Sequence, residues 1–151
     1  MEYILAPKDV GCLFCVKPAE EKDEENYILH RAETCFVMMN IYPYNNGHLM
    51  IAPYRHVANV DDLDPKEQAA LMATLGKSMQ VLTRALKPEG FNTGMNVGRV
   101  SGAGVVDHLH IHVVPRWAAD TNFMPVIAET KVLAQHLDTT YEQLQPLFLE
   151  L

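Results

Sequence analysis

The segment Asp107-His108-Leu109-His110-Ile111-His112-Val113-Val114-Pro115-Arg116 alternates three histidines with aliphatic residues. That is the period of a β-strand, in which successive side chains point to opposite faces. His108, His110 and His112 are expected on one face, with neighbouring imidazoles roughly 6.5–7 Å apart. Leu109, Ile111 and Val113 are expected in a core on the other. Three of the chain's 7 histidines lie in five residues, so the row calls for an explanation in chemistry. Imidazole serves as nucleophile, acid, base or metal ligand near neutral pH. A polar strand face, a histidine metal site, and a histidine nucleophile with phosphate-binding neighbours all fit the spacing.

The rest of the chain frames that strand. Residues 27–31 and 34–39 read as two strands joined by a polar turn, and residues 47–52 as a third, stopped by Pro53. Asp64, Pro65 and Glu67 form a helix-start signature of N-cap, first-turn proline and capping-box acid. Leu71, Leu75, Met79, Leu82 and Leu86 then recur every three or four residues, predicting an amphipathic helix that ends before Pro88. Residues 91–97 read as a fourth strand, and the glycine-rich residues 98–104 as a loop leading to the histidine strand. The resulting class is α+β: a five-stranded antiparallel meander with one long helix. Residues 126–136 suit a short strand or helix. Residues 140–151 suit a shorter C-terminal helix, kinked by Pro146 unless it begins there.

At 151 residues and 48% hydrophobic content the chain is sized for one domain with a real core. A formal charge of −7 argues against a nucleic-acid partner, while leaving room for a small anionic substrate at one local site. Much of the negative excess lies in residues 20–25, expected to be a solvated loop. No apolar run is long enough to span a membrane, and the N-terminus lacks a secretory pattern, so a cytoplasmic protein is expected. In that compartment Cys12-Leu13-Phe14-Cys15 points to metal or redox chemistry more than to a disulfide. Cys35, alone in an apolar strand, is expected in the core.

His108-Leu109-His110-Ile111-His112-Val113-Val114 resembles the signature of the histidine triad (HIT) superfamily. Upstream, Phe36 to Asn40, a Pro-containing turn, and Gly47-His48 opening an apolar strand resemble the first half of the same domain. The resemblance runs from about residue 12 to residue 117, leaving 118–151 as an extension of a single domain 1–151. The segment after Pro115-Arg116-Trp117 is similar to the bacterial diadenosine tetraphosphate phosphorylase and hydrolase branch, near the fragile histidine triad proteins. This implies a HIT-like fold, usually homodimeric, acting on adenine nucleotides and dinucleoside polyphosphates, with inorganic phosphate as a possible second substrate and no organic cofactor.

The resemblance also implies roles. His110, the middle histidine, is the nucleophile that attacks an α-phosphorus. His112 stabilises charge or protonates the leaving group, and the His108 carbonyl holds the nucleophile's tautomer. Asn40, His48, Asn96, Ser101 and Gly102 fall at nucleotide-binding positions, although Asn40 suits a turn equally and His48 a packed core. Trp117 suits base stacking or a dimer edge, and Arg116 a distal phosphate. Cys12, Cys15, His56 and His108 match a structural Cys2His2 zinc set, with an unmetallated thiol pair as the alternative. One departure stands out. Where many members carry Gly-Gln-Ser/Thr-Val before the triad, this chain has Ala103-Gly104-Val105-Val106. Ser101, Arg99 or backbone amides would have to meet the bridging phosphate oxygens, so leaving-group preference does not carry over.

Overall fold

Period-two alternation divides the sheet residues between two buried faces. In strand Cys35–Met39 every residue is buried: Cys35, Val37 and Met39 join one hydrophobic cluster, Phe36 and Met38 another. The structure, a computed structural model, describes residues 11–121, 127 and 135–151. Five strands, β1 (Ile28–Arg31), β2 (Cys35–Met39), β3 (Leu49–Pro53), β4 (Gly90–Gly94) and β5 (Ile111–Arg116), are joined by helices α1 (Leu13–Ala19), α2 (Pro65–Leu86) and α3 (Leu137–Leu149). The N-terminal residues 1–10, the extension residues Asn122, Phe123 and Lys131, and most of the 126–136 segment lie outside the described residues.

All neighbouring strands pair antiparallel, as expected, in the order β1-β2-β3-β5-β4. The meander runs through β3. The 22-residue α2 then carries the chain to the edge as β4, and β5 returns between β3 and β4. This places the histidine strand inside the sheet, where it is braced on both sides. β5 begins only at Ile111, yet the alternation persists upstream of it. Leu109 is buried with Ile111 and Val113 in the α2/α3-side cluster, and its N–H donates to Val57 O at 2.7 Å.

Helix α2 starts as its sequence predicts. Asp64 accepts from the Glu67 N–H at 2.8 Å, and the Glu67 carboxylate accepts from the Asp64 N–H at 2.9 Å. Arg55 closes a bidentate pair on Glu67 at 2.6 and 2.7 Å. With the cap N–H, this pair holds the Glu67 carboxyl at about 2, well below its usual range. Leu71 and Leu82 are buried, and Leu75, Met79 and Leu86 pack against the same cluster. Helix α3 starts earlier than expected and contains Pro146. Pro146 and Glu142 are exposed, so the Glu142 carbonyl, left without its helical donor, faces water.

Gly47 marks a close approach. Its φ is +71°, and a Cβ there would lie 2.5 Å from Leu86 Cδ1 and 3.1 Å from Leu82 Cδ2. Glycine alone lets residues 40–48 close over the end of α2 and deliver His48 to the sheet.

Candidate active site

The face of the sheet opposite α2 carries Phe36, Met38, Met50 and Ala52, and α1 lays Phe14 on it. Histidines 110 and 112 extend this face, since Met50 pairs with His112 across β3 and β5. Together these elements wall a cavity of about 440 Å³, within the range of small-ligand sites. It runs from His110, His112 and Gly104 across the sheet to Asn26 and Tyr27 before β1.

Ring nitrogens acquire fixed roles from their partners. His110 Nδ1 lies 2.9 Å from the His108 carbonyl. A carbonyl only accepts, so Nδ1 carries the proton and Nε2 keeps a lone pair. His110 is 5% exposed, and burial lowers its pKa from 6.5, keeping the ring neutral. Phe14 supports it, with ring centroids 4.7 Å apart.

His48 and His112 form a second ordered pair. The Tyr44 N–H donates to His48 Nδ1 at 3.1 Å. His48 therefore carries its proton on Nε2 and donates it to His112 Nδ1 at 2.8 Å. His112 in turn holds its own proton on Nε2, available to the cavity it lines. Burial, then the neighbouring imidazoles, lowers His48 to about 3 and His112 to about 4. The Tyr44 ring stacks on His112 at 5.7 Å. His48 is thus both packed histidine and polar positioning group.

His108 lies elsewhere. Its Nε2–H donates to Pro53 O at 2.8 Å, which frees Nδ1 as a lone-pair donor. Cys12 Sγ lies 3.2 Å and Cys15 Sγ 3.5 Å from that nitrogen, and His56 Nδ1 lies 3.4 Å from Cys15 Sγ. The four ligand atoms all lie within 4.8 Å of one another. A tetrahedral ion with bonds of about 2.3 Å to sulfur and about 2.0 Å to nitrogen separates its donors by about 3.3–3.8 Å, so the cluster fits one. Its position on α1, on the segment after β3, and just before β5 ties three distant parts of the chain together.

The other expected residues divide. Asn40, Asn96 and Gly102 line the cavity. Asn40 is also a turn residue, because its Oδ1 accepts the Tyr42 N–H at 2.9 Å. Ser101 and Trp117 are not brought to the cavity wall. Ser101 is exposed and its hydroxyl donates to Gly98 O at 2.7 Å, while Trp117 is half-buried where β5 ends. Arg116 is bound at 2.6 and 2.9 Å by Asp120, with Asn92 as a further acceptor. Of the segment that departs from the family pattern, Gly104 and Val105 reach the wall.

Sequence reasoning missed the wall opposite the histidines. Leu13, Phe14 and Lys17 come from α1, and Glu25, Asn26 and Tyr27 from the end of the acidic run. That run is largely exposed but not unstructured: Asp23 pairs with Arg31 at 2.7 Å, and Glu20 accepts from Asn26 at 2.8 Å. The polar pair Asn26-Tyr27 between an acidic stretch and an apolar strand was the available signal.

Residues 21–119 match the HIT domain family. The chain is 44% identical over 118 residues to an AP-4-A phosphorylase of Mycobacterium tuberculosis, covering 78% of this chain and 60% of that one. It thus spans less than two thirds of that relative's length. A hypothetical histidine triad nucleotide-binding protein from Sulfolobus tokodaii superposes with a TM-score of 0.72 at 27% identity, over 92% of this chain and 90% of that one. A zinc-bound histidine triad family protein from Mycobacterium smegmatis shares the fold, with a TM-score of 0.72 at 20% identity over 93% and 94% of the two chains.

Proposed function

The chain belongs to the HIT domain family, and on that premise we propose that it cleaves adenine dinucleoside polyphosphates at the α-phosphate through a nucleotidyl-histidine at His110. The observation that carries this reading is the opposed pair of tautomers in one cavity. His110 offers an Nε2 lone pair because its Nδ1–H is held by the His108 carbonyl, and His112 offers an Nε2–H because His48 holds its Nδ1.

In the first step His110 Nε2 attacks the α-phosphorus and the bond from phosphorus to the bridging oxygen breaks. The polyphosphate leaves with that electron pair. The His110 ring becomes positive, and the His108 carbonyl, already bonded to Nδ1–H, stabilises that charge. His112 donates to a phosphate oxygen or to the leaving oxygen. The backbone around Gly102 and Gly104 can approach the phosphates closely. This meets the missing polar side chains at Gly104 and Val105. In the second step an oxygen of water or inorganic phosphate attacks the phosphorus and the P–N bond breaks, giving AMP or ADP. The 44% identity to an AP-4-A phosphorylase favours phosphate as the acceptor.

Cys12, Cys15, His56 and His108 hold a structural zinc in this reading. The ion would supply a fixed crosslink between α1, the segment after β3 and the approach to β5. Thiols kept available for metal agree with a cytoplasmic protein. The exposed edge strand β4 supports pairing with a second copy as a homodimer.

Product analysis of diadenosine tetraphosphate turnover, with and without inorganic phosphate, tests the proposal. Phosphate-dependent ADP plus ATP is the expected result. AMP plus ATP regardless of phosphate makes the enzyme a hydrolase. Absence of turnover, alongside cleavage of an adenosine phosphoramidate, would replace this substrate with a P–N bond.

A further inference from the structure

The cavity crosses the strands. His110 and His112 lie at its β5 end, and Asn26 and Tyr27 at its β1 end, three strand spacings away in the order β1-β2-β3-β5, roughly 14 Å. A nucleotide whose phosphate meets His110 therefore extends its base toward β1. There the walls include apolar Leu13, Met38 and Ile41, which suit a flat aromatic ring.

Lys17, Glu25 and Tyr27 bring polar groups to this wall, with the Lys17 ammonium on Glu20 at 3.4 Å and the Tyr27 hydroxyl on Asp138 at 2.6 Å. The buried polar side chain beside them is Asn26. It is only 7% exposed and lines the cavity. Its amide orientation is dictated by its neighbours, since Nδ2 donates to Glu20 Oε2 at 2.8 Å and to Lys17 O at 3.4 Å. Both partners only accept, so the other face of the amide must be the oxygen. Among the described residues no group donates to Asn26 Oδ1, and it is not sealed from solvent, Thr34 Oγ1 being the buried side-chain atom without a partner. A nine-tenths buried residue of the cavity wall thus carries an acceptor that no described group uses. The backbone holds it there, with the Asn26 N–H donating to Lys22 O at 2.9 Å.

We propose that Asn26 is a specificity-determining residue whose carboxamide oxygen accepts from the exocyclic amine of a 6-aminopurine and rejects a 6-oxopurine. The inference rests on the nucleotide reading above and adds the base to it. In the same pose, inosine or guanosine sets its O6 against Oδ1, acceptor against acceptor. A purine with no 6-substituent leaves Oδ1 unpaired. A site built to bond a ligand group discriminates against analogues that lack it far better than an apolar pocket does. The Glu20 carboxylate behind Nδ2 strengthens the effect, because it pins the amide and disfavours a flip that would offer N–H to an oxo group.

The test is calorimetric titration of the intact protein with AMP, IMP and purine riboside 5′-monophosphate, repeated on Asn26→Leu. Wild type is expected to bind AMP at least ~10-fold tighter than either analogue, on the magnitude of one unpaired buried polar group. Asn26→Leu is expected to bind all three within about 2-fold of one another, with AMP losing most. A merely structural role for Asn26 would weaken all three alike and keep their ratios. Equal binding of AMP and IMP by the wild type overturns the inference while leaving the nucleotide reading intact. Failure of all three to bind overturns both. If Asn26→Leu does not fold, Glu20→Ala, which releases the Asn26 amide to flip, should narrow the AMP-to-IMP ratio, and an unchanged ratio overturns the assignment.

Discussion

His48 donates its Nε2–H to Nδ1 of His112 at 2.8 Å, so a residue outside the histidine strand decides where a strand histidine keeps its proton. The Tyr44 backbone N–H, bonded to His48 Nδ1, sets the whole chain of donors in one direction. Asn40, Gly47 and Asn45 fold the intervening turn that makes this possible: the Asn40 N–H donates to His48 O and the His48 N–H to Asn45 O.

Removing that donor should damage turnover more than binding. His48→Ala is expected to lower kcat by at least ~10-fold with a smaller change in KM, on the scale of one misplaced catalytic proton. His48→Gln, which keeps a side-chain N–H, should recover part of the loss. Steady-state kinetics of both variants checks this. Equal and small effects would show His48 to be packing alone.

The pH response follows from burial. His48 at about 3 and His112 at about 4 stay neutral in the native protein, whereas an unfolded chain protonates them near 6.5. Below pH 6.5 the unfolded state therefore binds more protons. Stability from this pair is complete above pH 6.5 and declines as pH falls toward 4. His48→Gln should flatten this decline, as read from urea midpoints between pH 8 and 5. The acid limb of kcat/KM in wild type should also lie below pH 6.5. A limb at or above 6.5 would show that the imidazoles are not desolvated.

The Cys12, Cys15, His56 and His108 cluster anchors α1, and with it the Phe14 ring on His110. Elemental analysis should find one zinc per chain, and Cys12→Ser should lower both zinc content and Tm. Chelation is expected to remove activity slowly, in step with loss of folded signal. Immediate loss of activity from a fully folded chain would assign the metal to the chemistry instead.

Gly47→Ala combines a left-handed backbone with a 2.5 Å approach to Leu86 Cδ1. It should destabilise the fold by about 2 kcal/mol or more, the sum of a strained φ and overpacking. Denaturant unfolding measures this, and a change under about 0.5 kcal/mol would mean that the loop relaxes freely.

Features written in short-range chemistry were legible in the chain itself. The histidine alternation, the Asp64–Glu67 cap and the ligand spacing of Cys12 and Cys15 each depend on residues within a few positions. The position of β5 between β3 and β4 was not legible, because it depends on where α2 deposits the chain. The cavity wall was hidden for a similar reason. Asn26 follows an acidic run that reads as solvent-facing, and only the pairing of Asp23 with Arg31 and of Glu20 with Asn26 turns it inward. The bond from the Ser101 hydroxyl to Gly98 O, within its own loop, was not legible either. Pro146 lies within α3 because its missing hydrogen bond falls on the wet side of the helix.

The central claim is that His110 Nε2 forms a bond to phosphorus. Rapid acid-free quenching of a single turnover with diadenosine tetraphosphate, followed by mass spectrometry of the peptide containing His110, tests it directly. The account predicts a transient adenylyl adduct on His110 that His110→Ala lacks, decaying at the rate at which product forms. Full turnover by His110→Ala, or an adduct on any other residue, would contradict it.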